Sequence, residues 1–294
     1  IQHEFVVKNG NDVREHVVKT LCTRDSLEAK RINVTVLDHV VEDLTRGVVA
    51  DLEALLLELD ALEPDAPDDV AVEPAPLARL PDLRAVIVTG AGRAFSAGGD
   101  LLEFETLLNS GKQELLDVLR YNQDALQMVE DIPVPVIGAV NGVAVAGGLE
   151  LMLCCDMLLA AEGARIGDGH SRYGVIPAAG ATVRLPERIS PSNAARLFYS
   201  AELMPAEVLK DWGLIDEVVP PDRLMHRAME LARTIAAASP EANRHIKTLT
   251  APATRHPNRT ERMRAELVRF AEHLEGHDFA RGLAAFRGKV SATY

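Results

Sequence analysis

The chain has 294 residues, 47% of them hydrophobic and 26% charged, an ordinary mix for one large globular domain or two small ones. Its net charge of −13 argues against a general binder of nucleic acid or of membrane surfaces, which needs a basic field. An anionic ligand would have to find a local basic patch.

The three cysteines, Cys22, Cys154 and Cys155, form no disulfide framework, and two of them are adjacent in an apolar stretch. Buried thiols in a reducing, cytoplasmic compartment are expected. No CxxC or HExxH pattern is present, so no metal site is expected. The N-terminus lacks a basic and then apolar leader pattern, so no signal peptide is expected. The most apolar stretch, 133–161, carries Asn141, Glu150 and Asp156 and is too polar to span a bilayer.

Taken along the chain, Phe5 to Asp12 reads as a strand running into an Asn-Gly turn. Ile32 to Leu37 reads as a second strand. From Thr45, a plausible N-cap, the period changes, and Val48, Leu52, Leu55, Leu56 and Leu59 recur at helical spacing. Residues 63–81 hold five prolines among Ala, Asp and Glu, the composition of a loop or insertion. Order returns at Arg84 to Gly90, a buried-type strand with a glycine stop. A helix is expected around 113–130 and a strand over Pro135 to Val140. Strands alternating with helices indicate an α/β fold with parallel strands. From about 192 the pattern is helical nearly to the end, with a break at Pro257.

Two segments carry chemistry. In Arg93-Ala94-Phe95-Ser96-Ala97-Gly98-Gly99-Asp100, small residues after a strand let the backbone turn sharply and approach a ligand. In Asn141 to Asp156, Gly147 and Gly148 lie directly before an expected helix, where free N–H groups meet the positive end of the helix dipole. That is a natural seat for developing negative charge, with Glu150 in the first turn beside it.

These two segments resemble, in order, spacing and composition, the signature regions of the enoyl-CoA hydratase/isomerase (crotonase) superfamily, with Ala146 in place of the first of three glycines. Similarity continues through Gly174 to Gly180, Arg184-Leu185-Pro186, Trp212 to Pro220 and Ala285 to Lys289, so it spans roughly residues 84–290. The resemblance implies an α/β spiral of ββα units over 1–191, carrying the 63–81 insertion, and a helical C-terminal region over 192–294 that packs between subunits of a homotrimer or dimer of trimers. It implies an acyl-CoA substrate, no cofactor beyond the CoA of that substrate, and an oxyanion hole made by the N–H groups of Ala97 and Gly147. Arg93, Ala94, Gly98, Asp100, Phe286 and Lys289 match positions near bound CoA.

Hydratases of this family use two glutamates. The first corresponds to Glu150; the second, twenty residues on, is His170 in this chain. A histidine titrates near neutrality and can pass protons, so His170 is expected to act as the second acid/base, and a rate that falls as it protonates is expected if it works neutral. Asp168 is a third candidate, either titrating itself or orienting His170. Hydration of a 2-enoyl-CoA ranks first. Double-bond isomerisation, C–C hydrolysis or decarboxylation of a β-keto acyl-CoA (with Tyr173 nearby), and acyl-CoA binding without turnover are the alternatives. A serine peptidase on the same spiral fold lacks a nucleophile motif here. Leu37 to Thr45 stands where the family has a CoA-lining loop but lacks its arginine, proline and asparagine, which leaves substrate binding open to change.

Overall fold

The computed structural model describes residues 16–19, 32–38, 83–251, 263–264, 268, 270–274, 276–288, 290 and 293. The expected strand at 5–12, the helix from Thr45, the 63–81 insertion, Cys22 and Lys289 lie outside these residues.

Strands β1 (His16–Lys19), β2 (Ile32–Asp38), β3 (Leu83–Gly90), β5 (Val136–Val140), β7 (Met157–Ala161) and β10 (Glu217–Val219) form a six-stranded sheet in that order. A second sheet of four strands runs β4 (Ala94–Ser96), β6 (Val143–Val145), β8 (Arg165–Gly167) and β9 (Met204–Pro205). Pairing is parallel from β3 through β5 and β7 to β10, and from β4 through β6 to β8. The pairs β1/β2, β2/β3 and β8/β9 are antiparallel.

The chain therefore advances by repetition. Each unit lays one strand in the large sheet and the next in the small one, then turns through a helix before the next unit stacks alongside. The helices of the first unit are α1 (Leu101–Ser110) and α2 (Lys112–Glu130). The second unit has α3 (Gly147–Leu153), and the third has α4 (Ala181–Arg188) behind a 3₁₀ turn at His170–Tyr173. This is the ββα spiral expected from the resemblance.

Why the central strands read as unbroken apolar runs is clear from their two covered faces. Ala85, Ile87, Ile137, Ala139, Leu159 and Ala161 pack under Leu224, Ala228, Met229 and Ala232 of α7 (Leu224–Ala236). The alternate residues Val86, Val88, Val136, Val140, Leu158 and Ala160 face the larger core, which includes Phe95, Leu149, Met152, Leu185 and Leu197. The strand period of two thus divides each run between two cores.

From residue 191 onward come α5 (Pro191–Ser200), α6 (Ala206–Asp211), α7, α8 (Pro240–Thr250) and α9 (His277–Gly288). The expected helical pattern is interrupted by β9 and β10, which return to the edges of the two sheets. They are two and three residues long, too short for a period to show in sequence. Cys154 and Cys155 are buried free thiols, and burial pushes both well above the ordinary thiol range.

Candidate active site

The site lies where the ends of β4, β6 and β8 meet the start of α3. The turn after β3 is held by Asn141, at the end of β5. Its Oδ1 accepts from the N–H of Gly90 at 3.0 Å, and its Nδ2 donates to the carbonyls of Gly92 at 2.9 Å and Ala94 at 3.3 Å. Backbone crossings here are tight: a Cβ on Gly142 would stand 2.1 Å from the Arg93 carbonyl oxygen. Asn141 opens the 141–156 segment, and in sequence a lone amide after an apolar strand is the only sign of this stitching role.

Ala97 follows β4, and Gly147 opens α3. A Cβ on Gly98, whose φ is +80°, would come within 2.8 Å of the Gly147 nitrogen, so the two turns touch backbone to backbone. No hydrogen bond among the described residues takes up the N–H of Ala97 or of Gly147. Two free donors on adjoining turns, one at a helix N-terminus, can serve a single polarised oxygen. Ala146, between β6 and α3, adopts φ 54° and ψ −120°, a conformation that L residues rarely accept. Its N–H donates to the Asp168 carbonyl at 3.0 Å, and its carbonyl accepts from the Glu150 N–H at 3.1 Å. This strained residue thus ties the turn at the start of α3 to both Asp168 and Glu150.

The neighbouring glycines have different tasks. A Cβ on Gly148 would lie 2.2 Å from the Ser96 carbonyl oxygen, whereas one on Gly147 meets nothing nearer than the Gly98 Cα at 3.3 Å. Gly148→Ala is therefore expected to force β4 and α3 apart and to destabilise the fold by about 3 kcal/mol. Gly147→Ala, which needs the Gly98 backbone to give by only a few tenths of an ångström, should lower the unfolding temperature far less. Thermal unfolding of the pair checks this contrast.

Glu150 is 3% exposed. Its Oε1 accepts from the N–H groups of Ala179, at 2.8 Å, and Ala181, at 3.2 Å. Burial raises its pKa above 4.5, while those two N–H groups and the charge of His170 pull against the shift. The sequence placed Glu150 correctly in the first turn of α3; it gave no sign of the holding loop some thirty residues downstream.

Asp168 follows β8 and is 1% exposed. Its Oδ1 lies 2.9 Å from His170 Nδ1, and its Oδ2 accepts from the His170 N–H at 3.3 Å. Gly169, at φ 70°, makes the turn between them. An Nδ1–H donated to the carboxylate leaves Nε2 as the working nitrogen. Burial disfavours the imidazolium, but the bond to Asp168, its charge and that of Glu150 outweigh it, so the His170 pKa is raised above 6.5. Glu150, His170 and Asp168 thus interact as one cluster, and Asp168 has the contacts of an orienting group. Tyr173, at the end of the same turn, is 68% exposed.

Of the residues expected near CoA, Arg93 is exposed on the turn before β4, with Ala94 and Gly98 half-buried on either side of Phe95. Asp100 caps α1, its Oδ1 accepting from the Leu102 N–H at 2.9 Å. Phe286 falls on α9, and its side chain, like Lys289, is outside the described residues.

Comparison with known proteins shows which family the chain resembles. Residues 75–294 match the family model described as enoyl-CoA hydratase/isomerase. The crotonyl-CoA hydratase of Syntrophomonas wolfei is 31% identical over 73% of this chain and 81% of its own length. An enoyl-CoA isomerase/hydratase of Mycosarcoma maydis is 38% identical over 56% of this chain and 59% of its own. The crystal structure of an enoyl-CoA hydratase from Bacillus anthracis superposes with a TM-score of 0.72 at 32% identity, covering 84% of this chain and 88% of that one.

Proposed function

The chain belongs to the enoyl-CoA hydratase/isomerase family, and from that premise we propose that it adds water across the double bond of a 2-enoyl-CoA. The observation that carries this reading is the meeting of two free backbone donors, Ala97 and Gly147, with a buried carboxylate and an aspartate-held imidazole. The thioester oxygen accepts from both N–H groups. Glu150 takes a proton from water as the hydroxyl adds to the β-carbon, and the double-bond electrons move through the α-carbon onto the thioester oxygen. The imidazolium of His170 then gives its proton to the α-carbon and the enolate collapses. Donors placed for an enolate lower the barrier more than they stabilise the ground state.

Arg93, Ala94 and Gly98 border this site and are assigned to the CoA portion, with Phe286 and Lys289 contributing from the C-terminal region. The protein needs no cofactor beyond the CoA of its substrate. It works as a homotrimer or dimer of trimers, through the elements after residue 191, in a reducing cytoplasm. No helix of the described residues is long and apolar enough to cross a membrane.

The test is the ultraviolet absorbance of crotonyl-CoA, which falls as conjugation is lost. Unchanged absorbance with intact CoA-ester binding would replace hydration by isomerisation, C–C cleavage or binding alone. The pH profile of kcat/KM separates the roles. Glu150 acts ionised, so activity is lost as pH falls through its value, which burial holds above 4.5. His170 acts protonated, so activity is also lost as pH rises through its value, held above 6.5 despite burial by Asp168 and Glu150. The two limbs belong to the coupled pair. Asp168→Asn is expected to move the alkaline limb to lower pH. An activity that instead rises through that limb would make His170 a neutral base.

A further inference from the structure

We propose that Arg184 is a positioning residue that sets the proton affinity of Glu150 by holding the loop to which that carboxylate is bound. The proposal deepens the acid/base reading above and rests on Glu150 being the base.

Arg184 lies in the first turn of α4 and is largely buried, with a side chain 11% exposed. All three guanidinium nitrogens are engaged. Nη1 donates to the carbonyl of Ala179 at 2.9 Å, Nε donates to Oε2 of Glu130 at 2.7 Å, and Nη2 donates to Oε1 of Gln127 at 2.9 Å. Glu130 and Gln127 belong to the last turn of α2, so the guanidinium clamps the Ala179 peptide to a helix from an earlier unit of the spiral. The other side of that loop serves the carboxylate: Ala179 and Ala181 donate their N–H groups to Glu150 Oε1. One short loop thus meets Arg184 through a carbonyl and Glu150 through two amides.

Gly180, between the two donors, shows how closely the parts fit. It sits at φ +105°, and a Cβ there would fall 2.1 Å from Arg184 Nη1. The guanidinium occupies the space that any other residue would need, so clamp and loop conformation depend on each other. A planar fork can hold three acceptors at fixed angles; a lysine ammonium on a flexible stem cannot do so equally.

The consequence is a proton affinity. Burial raises the Glu150 pKa, the Ala179 and Ala181 N–H groups and the charge of His170 lower it, the Asp168 carboxylate raises it, and Arg184 and Glu150 also interact by charge across the loop. If the Ala179 carbonyl is released, the loop relaxes and Oε1 loses donor contact. Glu150 then holds its proton to higher pH and stands less well aimed at water.

The experiment compares wild type, Arg184→Met and Glu130→Gln. The ionisation of Glu150 is titrated by infrared spectroscopy, with Glu150→Gln subtracted to isolate its carboxyl band, and kcat and KM for crotonyl-CoA are measured across pH. In Arg184→Met the Glu150 midpoint and the acid limb should both move up by about one pH unit. At neutral pH kcat should fall on the order of 10-fold or more, with KM little changed. Glu130→Gln keeps the side-chain shape and should give a smaller shift of the same sign, and it decides the matter if Arg184→Met does not fold. An unchanged Glu150 midpoint in the folded variants overturns the proposal and leaves Arg184 a structural anchor. A shifted midpoint in a protein whose wild type does not hydrate crotonyl-CoA upholds the clamp and rejects the hydratase reading.

Discussion

Glu150→Gln lowers kcat for crotonyl-CoA hydration by about 10³-fold, within the span that a positioned general base contributes. The amide is the informative replacement because Glu150 has a structural task besides its proposed chemical one. Its Oε1 satisfies the N–H groups of Ala179 and Ala181 in a site only 3% exposed. Alanine would leave two buried donors without a partner, and each costs roughly 1–3 kcal/mol, so lost activity could reflect a collapsed loop. Glutamine keeps an oxygen in the same place and removes only the basicity. The fall should therefore appear in kcat, with KM nearly preserved and thermal unfolding close to wild type. Stopped-flow or steady-state absorbance with a melting curve on the same sample is the check. Retention of a tenth or more of wild-type kcat would move the base to His170. The acid limb of the pH profile would then be assigned to the imidazole, with the sign of its dependence reversed.

What could be read from the sequence follows the range of the interactions involved. The spans 84–90, 113–130 and 135–140 declared themselves because burial on two faces or on one helical stripe is written into adjacent residues. The structure sets these elements at Leu83–Gly90, Lys112–Glu130 and Val136–Val140. The glycine pair before Glu150 announced a helix start, and α3 begins at Gly147. Asp168 and His170 are two residues apart, and their contact was one of the alternatives the sequence left open. The partners of Glu150 were not legible, since Ala179 and Ala181 contribute only backbone, which carries no side-chain signature. Arg184 is merely part of a matching tripeptide in sequence; its bonds to Glu130 and Gln127 reach across 54 and 57 residues, while Ala179 is five away. The strand β10 shows the same limit. Its pairing with β7 gives Asp216 a partner in the Leu158 N–H at 2.7 Å, a contact across 58 residues.

Ala97→Pro is expected to lower kcat by on the order of 10²–10³-fold, equivalent to about 3–4 kcal/mol of transition-state stabilisation, the usual cost of one oxyanion donor. A backbone donor cannot be removed by side-chain truncation, but proline lacks the N–H altogether. Position 97 suits the substitution for three reasons. Its N–H has no hydrogen-bond partner among the described residues, so the native fold gives up no bond. Ala97 is exposed, so the ring meets solvent rather than core. Ser96 before it ends β4 and is extended, the conformation that a residue preceding proline prefers. The same change at Gly147 would be uninformative, because the strained Ala146 precedes it and would clash with the ring. Two controls decide the meaning of a loss. The melting temperature should stay near wild type, since no buried contact is removed. The ring Cδ stands where the N–H pointed, so binding of a saturated acyl-CoA should weaken together with kcat as the thioester oxygen is pushed from its seat. A variant that binds the saturated acyl-CoA as wild type does would mean that the thioester oxygen does not sit at the Ala97 N–H. A variant with wild-type kcat would take Ala97 out of the oxyanion hole and leave Gly147 as the sole donor on these two turns.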